Sequence, residues 1–166
     1  MIIKGKVLKY GDDINTDVIF PGRYLAITDP KEMAEHAMED LDKDFLKKLK
    51  EANIIVAGKN FGCGSSREQA ATCLKYAGVK AIVAKSFARI FFRNAINQGI
   101  PIIETKEAVD KIDEGDEIEI DTENGIIKNL TKGTGFSFTP LPPFIQDIID
   151  AGGLINSLKK KIQYVK

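Results

Sequence analysis

An α/β fold, with a parallel βαβαβ core and a separate antiparallel hairpin region, is predicted by three features of this 166-residue sequence. Between residues 54 and 104, short apolar runs alternate with longer segments of helical periodicity, which implies parallel strands joined by right-handed crossovers. Gly78 and Gly99 each stand where a helix of this region should stop. After Thr105 the period changes to two in Glu117-Ile118-Glu119-Ile120, and Asn124-Gly125 supplies a hairpin turn.

Taken in order, residues 2–10 alternate loosely around Val7, Leu8 and Tyr10 and read as a first strand. Gly11-Asp12-Asp13-Ile14-Asn15-Thr16-Asp17 is a polar turn, and the apolar run Val18-Ile19-Phe20 after it reads as a short strand halted by Pro21-Gly22. Asp29-Pro30 opens a helix, with aspartate as N-cap, proline at the first position and Glu32 at the third. Met33, Ala37 and Leu41 give that helix an apolar face, and a second short helix covers 43–50. The core follows as strand 54–57, helix 66–77, strand 81–84, helix 87–98 and strand 101–104. Ile126-Ile127 begins the hairpin's return strand. Thr139-Pro140-Leu141-Pro142-Pro143 is a stiff connector, and helices 144–151 and 153–161, split by Gly152-Gly153, close the chain.

Composition fits one domain over residues 1–166, with 43% hydrophobic and 29% charged residues as in an ordinary soluble protein. Lys+Arg and Asp+Glu both number 24, so no bulk charge draws the chain to nucleic acid or an anionic membrane. No apolar run approaches the ~20 residues of a membrane span, and the N-terminus lacks a signal peptide's apolar core, so a cytoplasmic location is expected. There is one histidine, His36, in a Met/Ala-rich helix where it reads as structural. Cys73 falls on an apolar helical face, whereas Cys63 is a candidate nucleophile or metal ligand with no base near it in sequence. Two cysteines cannot hold an iron–sulfur cluster that needs three or four thiolates, so any metal must come from elsewhere.

Chemistry concentrates in Phe61-Gly62-Cys63-Gly64-Ser65-Ser66-Arg67-Glu68, which joins a strand to a helix. Glycines let the backbone approach a ligand, and a helix start offers unpaired N–H groups with about half a positive charge. Arg67 adds a planar donor fork for a carboxylate or phosphate. The purely structural alternative is a capping box, Ser65 with Glu68 or Ser66 with Gln69. A cap needs one serine and the loop has two, which leaves a hydroxyl for function. Arg89 and Arg93, four apart, form a cationic stripe that is either a solvated face or an edge for an acidic partner. Asp12, Asp13 and Asp17 lack the glycine and terminal glutamate of a calcium loop, so Asp17 is a turn residue unless it faces the serine loop.

Four segments together resemble a known family: residues 11–17, Pro21-Gly22-Arg23-Tyr24-Leu25, Gly58-Lys59-Asn60 with the loop just described, and Ser86-Phe87-Ala88-Arg89-Ile90-Phe91-Phe92-Arg93-Asn94-Ala95. Over essentially the whole chain, in the same order, they look like the small subunit of isopropylmalate isomerase, itself similar to the swivelling fourth domain of aconitase. That resemblance implies a three-layer β/β/α swivelling domain and a permanent large-subunit partner carrying a four-iron, four-sulfur cluster. It also implies a hydro-lyase of leucine biosynthesis, active only as the assembled heterodimer or heterotetramer, that moves water across a hydroxy diacid through an alkene. Ser65 matches the family's catalytic base, Arg67 and the N–H of Ser66 match groups that bind a carboxylate and support the serine oxyanion, and Asp17 matches an aspartate near the site.

A serine hydroxyl titrates far above neutrality. A helix dipole supplies at most ~2 kcal/mol, about one and a half pKa units, so Arg67 and oriented N–H donors in a closed, dry site must supply the rest. By the same resemblance the loop Tyr24-Leu25-Ala26-Ile27 contacts the variable part of the substrate. Homoaconitase-like members are expected to carry an arginine there, and this chain has Ala26 and Ile27, an apolar wall suited to an isopropyl group. Gln69, where many members have histidine, leaves open a homoaconitase or methylmalate/citraconate type of substrate. The alternative of another class is a non-enzymatic anion- or phosphate-binding module, though the loop lacks the Lys-Ser/Thr of a P-loop.

Overall fold

Seven strands, eight α-helices and a 3₁₀ turn at Gly22–Tyr24 are seen among residues 1–165, those that the computed structural model describes. The strands are β1 (Ile2–Lys9), β2 (Ile54–Ala57), β3 (Ala81–Ala84), β4 (Ile102–Glu104), β5 (Glu117–Asp121), β6 (Ile126–Asn129) and β7 (Thr134–Ser137). The helices are α1 (Thr16–Ile19), α2 (Pro30–Ala34), α3 (Phe45–Leu49), α4 (Glu68–Ala77), α5 (Arg89–Asn97), α6 (Lys106–Lys111), α7 (Pro143–Asp150) and α8 (Leu154–Val165).

The strands form one mixed sheet in the order β4-β3-β2-β1-β5-β6-β7. β1 is shared between its halves: Val7–Lys9 pair parallel with β2, while Ile2–Lys6 pair antiparallel with β5. The sheet curls at that strand. On one face of the parallel half, Ile54, Val56, Ala81, Val83 and Ile103 join Ile118, Ile120, Ile127 and Phe136 of the antiparallel half in one apolar cluster. On the other face, Ile55, Ala57, Ile82 and Ala84 pack with Ala70, Leu74, Phe91 and Ala95 of the helices. Every residue of β2 and β3 is buried, as parallel strands covered on both faces require. This is the expected β/β/α layering.

The expected core elements form, and the differences have local causes. Val18-Ile19-Phe20 is not a strand. Asn15 caps a single turn, α1, by accepting from the Val18 N–H at 3.1 Å, and only Thr16 and Ile19 of that turn are buried. α2 is capped by Asp29 as expected but stops at Ala34. Met38 has φ of +59° and donates its N–H to Ile19 O, so the Met33, Ala37, Leu41 spacing is not one continuous helix and Leu41 is exposed. α5 starts at Arg89 because Phe87 is taken by a parallel bridge to Phe61. α6 and β7 have no counterpart in the sequence reading: α6 buries only Ala108 and Val109, and β7 only Phe136. His36 stacks on Tyr24 with ring centroids 3.7 Å apart. No helix among the described residues is long and apolar enough to cross a membrane.

Candidate active site

Three segments far apart in sequence meet at the end of β2. The turn 11–16 flanks one side of the glycine loop: Gly58 N–H donates to Gly11 O, Lys59 N–H to Asp12 Oδ1, Gly62 N–H to Ile14 O and Thr16 N–H to Cys63 O, all between 2.7 and 3.0 Å. The segment 86–88 flanks the other side, with Phe61 N–H donating to Ser86 O, Asn60 N–H to Ser86 Oγ and Ala88 N–H to Phe61 O. Gly62 has φ of +83°, and a Cβ there would overlap the Phe91 side chain, so only glycine lets the loop lie against α5. The loop is thus fixed by its backbone.

Neither capping box forms. Arg67 occupies the N-cap position of α4, with no side-chain capping bond, and the hydroxyls of Ser65 and Ser66 make no hydrogen bond among the described residues. Both serines are exposed. The backbone N–H groups of Ser65, Ser66 and Arg67 likewise find no acceptor among those residues. Three unpaired N–H groups at a helix start, beside two uncommitted hydroxyls, make a place for an anion.

Arg67 turns away from its own helix. Its Nη1 donates to Phe20 O at 3.0 Å and pairs with Asp17 Oδ1, and the side chain is only 14% exposed. Gly22 makes room for it, since a Cβ there would sit 3.3 Å from Nη2. Asp17 therefore faces the serine loop, carried there by the helical turn that replaced the expected strand.

A pocket of about 140 Å³ opens beside this loop, lined by Thr16, Gly64, Ser65, Arg67, Arg89 and Asn94 among others. Of the expected site residues it brings together Ser65 and Arg67, with Asp17 behind Arg67. Residues 24–27 do not line it. Tyr24 and Ile27 pack against the core, whereas Leu25 and Ala26 are exposed. Arg23 anchors that loop, its guanidinium 4.7 Å over the Tyr24 ring and bonded to both Asp40 oxygens at 2.6 and 2.9 Å. Arg89 opens α5 at the pocket and Arg93 is exposed on the same helix, neither in an ion pair among the described residues. Thr16 and Asn94 had no separate signal in the sequence beyond lying within the 11–17 and 86–95 segments.

The two thiols do not suit a metal cluster. Cys73 is buried, its Sγ donating to Ala70 O and Ile19 O, and burial pushes its thiol far above the usual range. Burial, then the nearby Asp13 charge, also raises Cys63, so neither is a ready thiolate at neutral pH. No group of three or more His, Cys, Asp or Glu among the described residues is placed to hold a metal ion.

A curled β/β/α sheet with a serine–arginine pocket at the loop after β2 defines a class: residues 12–108 match the aconitase C-terminal domain family. The chain is 58% identical over 161 residues to the 3-isopropylmalate dehydratase small subunit of Caldanaerobacter subterraneus, covering 97% of this chain and all of that one. It is 59% identical over 163 residues to the protein of that name from Caldicellulosiruptor bescii, covering 98% of each. The crystal structure of a 3-isopropylmalate dehydratase from Methanocaldococcus jannaschii superposes with a TM-score of 0.92 at 50% identity, over 99% of this chain and 97% of the other. The chain belongs to the 3-isopropylmalate dehydratase small-subunit family.

Proposed function

We infer that this chain is the small subunit of a cytoplasmic iron–sulfur hydro-lyase that interconverts 2- and 3-isopropylmalate in leucine biosynthesis. The observation that carries the reading is full-length identity above 55% to relatives so named, in a chain whose Ser65 hydroxyl is uncommitted beside Arg67. The four-iron, four-sulfur cluster is assigned to a large-subunit partner, because the thiols of this chain do not fit it.

Ser65 is the base. Its deprotonated Oγ takes the proton from the carbon next to the hydroxyl-bearing one, the C–H electron pair becomes the alkene, and the hydroxyl leaves as hydroxide that takes up a proton from an acid of the large subunit to become water. Re-addition of water in the opposite sense, with Ser65 returning the proton, yields the isomer. The N–H groups of Ser66 and Arg67 stabilise negative charge at Oγ, and the remaining donors of the Arg67 guanidinium hold a substrate carboxylate. Asp17 keeps that guanidinium in place. The pocket is open in this chain, so water exclusion falls to the large subunit. Expressed alone, the chain should therefore show no hydratase activity, and anaerobic assembly with a cluster-bearing large subunit should give turnover of isopropylmalate in an absorbance assay for the alkene. Turnover by the isolated chain would refute the division of labour.

Specificity is assigned to the loop 24–27, through its exposed members Leu25 and Ala26, with Tyr24 and Ile27 as the packed feet that hold it. An apolar wall gains ~2 kcal/mol from an isopropyl group and leaves an extra carboxylate unpaired, which costs several kcal/mol. Ala26→Arg should shift the ratio of specificity constants toward a homocitrate-type tricarboxylate and weaken isopropylmalate binding. An unmoved ratio would place the discriminating contact on the large subunit.

A further inference from the structure

Thr16 grips the glycine loop on both sides of Gly64. Its backbone N–H donates to Cys63 O at 2.8 Å, and its hydroxyl donates to Ser65 O at 2.7 Å from a residue only 3% exposed. Between the two held carbonyls Gly64 has φ of +92°, a conformation open to glycine at little cost. The described peptide bonds are all trans, and in a planar trans peptide the C=O and the next N–H point in opposite directions. With the Ser65 carbonyl drawn inward to buried Thr16, the Ser66 N–H is turned outward, and it has no acceptor among the described residues.

We propose that Thr16 is a positioning residue for the reaction: its hydroxyl locks the Ser65–Ser66 peptide so that the Ser66 N–H is presented to the anion formed at the site. This rests on the roles given above to Ser65 and Ser66. Without the hydroxyl, no other hydrogen bond among the described residues holds that peptide, and its rotation would aim a carbonyl oxygen at the anion in place of a donor. The effect belongs to the transition state, where the charge develops, and not to substrate binding. Thr16 and Asp17 are adjacent on α1, so one helical turn steadies the serine peptide with one residue and Arg67 with the next.

The test compares wild type, Thr16→Val, Thr16→Ser and Ser65→Ala in the complex with the large subunit, by kcat, KM and melting temperature. Thr16→Val, similar in shape and lacking the hydroxyl, should lower kcat roughly 10- to 100-fold, somewhat less than outright loss of an oxyanion donor. KM should change by less than about threefold, as expected when only transition-state stabilisation is lost. Thr16→Ser should recover most of the rate. Thr16→Ala replaces the valine variant if that chain does not assemble, against the same serine control. Wild-type kcat without the hydroxyl, a Thr16→Ser variant as slow as Thr16→Val, or a loss confined to KM or to melting temperature overturns the proposal. Ser65→Ala separates the two layers: if it stays active, the reading of the whole site fails. If it is inactive while Thr16→Val runs at full rate, only the role of Thr16 falls.

Discussion

Ser65→Ala should lower turnover of the assembled enzyme by about 10²–10⁴-fold, the usual range for loss of a positioned general base. Folding and subunit association should be untouched, because the hydroxyl makes no hydrogen bond among the described residues and Arg67 holds the N-cap position of α4. Ser66→Ala is the matched control. It removes an equally uncommitted hydroxyl and keeps the N–H, so its effect on turnover should be small and its melting temperature unchanged. Steady-state kinetics with circular dichroism on the two variants decides the matter. Equal, modest losses for both serines would make the loop a binding surface with no base in it.

Arg67→Lys should be nearly as damaging, despite conserving charge. The guanidinium reaches Phe20 O and Asp17 at once, lies against Gly22, and still has donors left for a ligand. An ammonium is a point charge on a flexible stem and cannot span those partners in one plane. A fully buried residue, Phe20, would risk an unpaired carbonyl, at about 1–3 kcal/mol. We expect kcat/KM to fall by roughly 10²-fold or more, with part of the loss in KM because a carboxylate contact is weakened. Measurable destabilisation should accompany it in thermal melts. A lysine variant with wild-type kcat/KM would remove Arg67 from the substrate-binding role and leave it as a brace for α1.

The parallel core was legible because several signals agreed there. Ile54–Ala57 and Ala81–Ala84 are apolar at every position, and Gly78 stops the helix between them with φ of +107°. Asn124-Gly125 likewise marked the β5–β6 turn. Elements with few buried residues were not legible: α6 turns only Ala108 and Val109 inward, so its polar sequence looks like a connection. Three apolar residues in a row at Val18-Ile19-Phe20 suggested a strand, and Asn15 decided otherwise through a capping bond that composition does not reveal. The site was legible as a loop and not as a constellation. Both serine capping patterns were present in the sequence, and neither is used, because the loop is already held by bonds from residues 14–16 and 86. That Arg67 should reach back to Phe20 and Asp17, forty-seven and fifty positions earlier, depends on the packing of α1 against α4.

The sharing of β1 between two half-sheets has a consequence for biosynthesis of the chain. Ile3 pairs with Ile120 and Gly5 with Ile118, so β1 leaves the ribosome and waits for a strand made much later. At roughly 5–20 residues per second, that delay is on the order of ten seconds. Meanwhile Ile54, Val56, Ala81 and Val83 emerge without the β5–β7 layer that will cover them. Every segment that shapes the serine pocket, from residue 11 to residue 95, is synthesised inside this interval. The nascent chain therefore makes the parts of its reactive loop while one face of the supporting sheet is still bare and prone to stick to other chains.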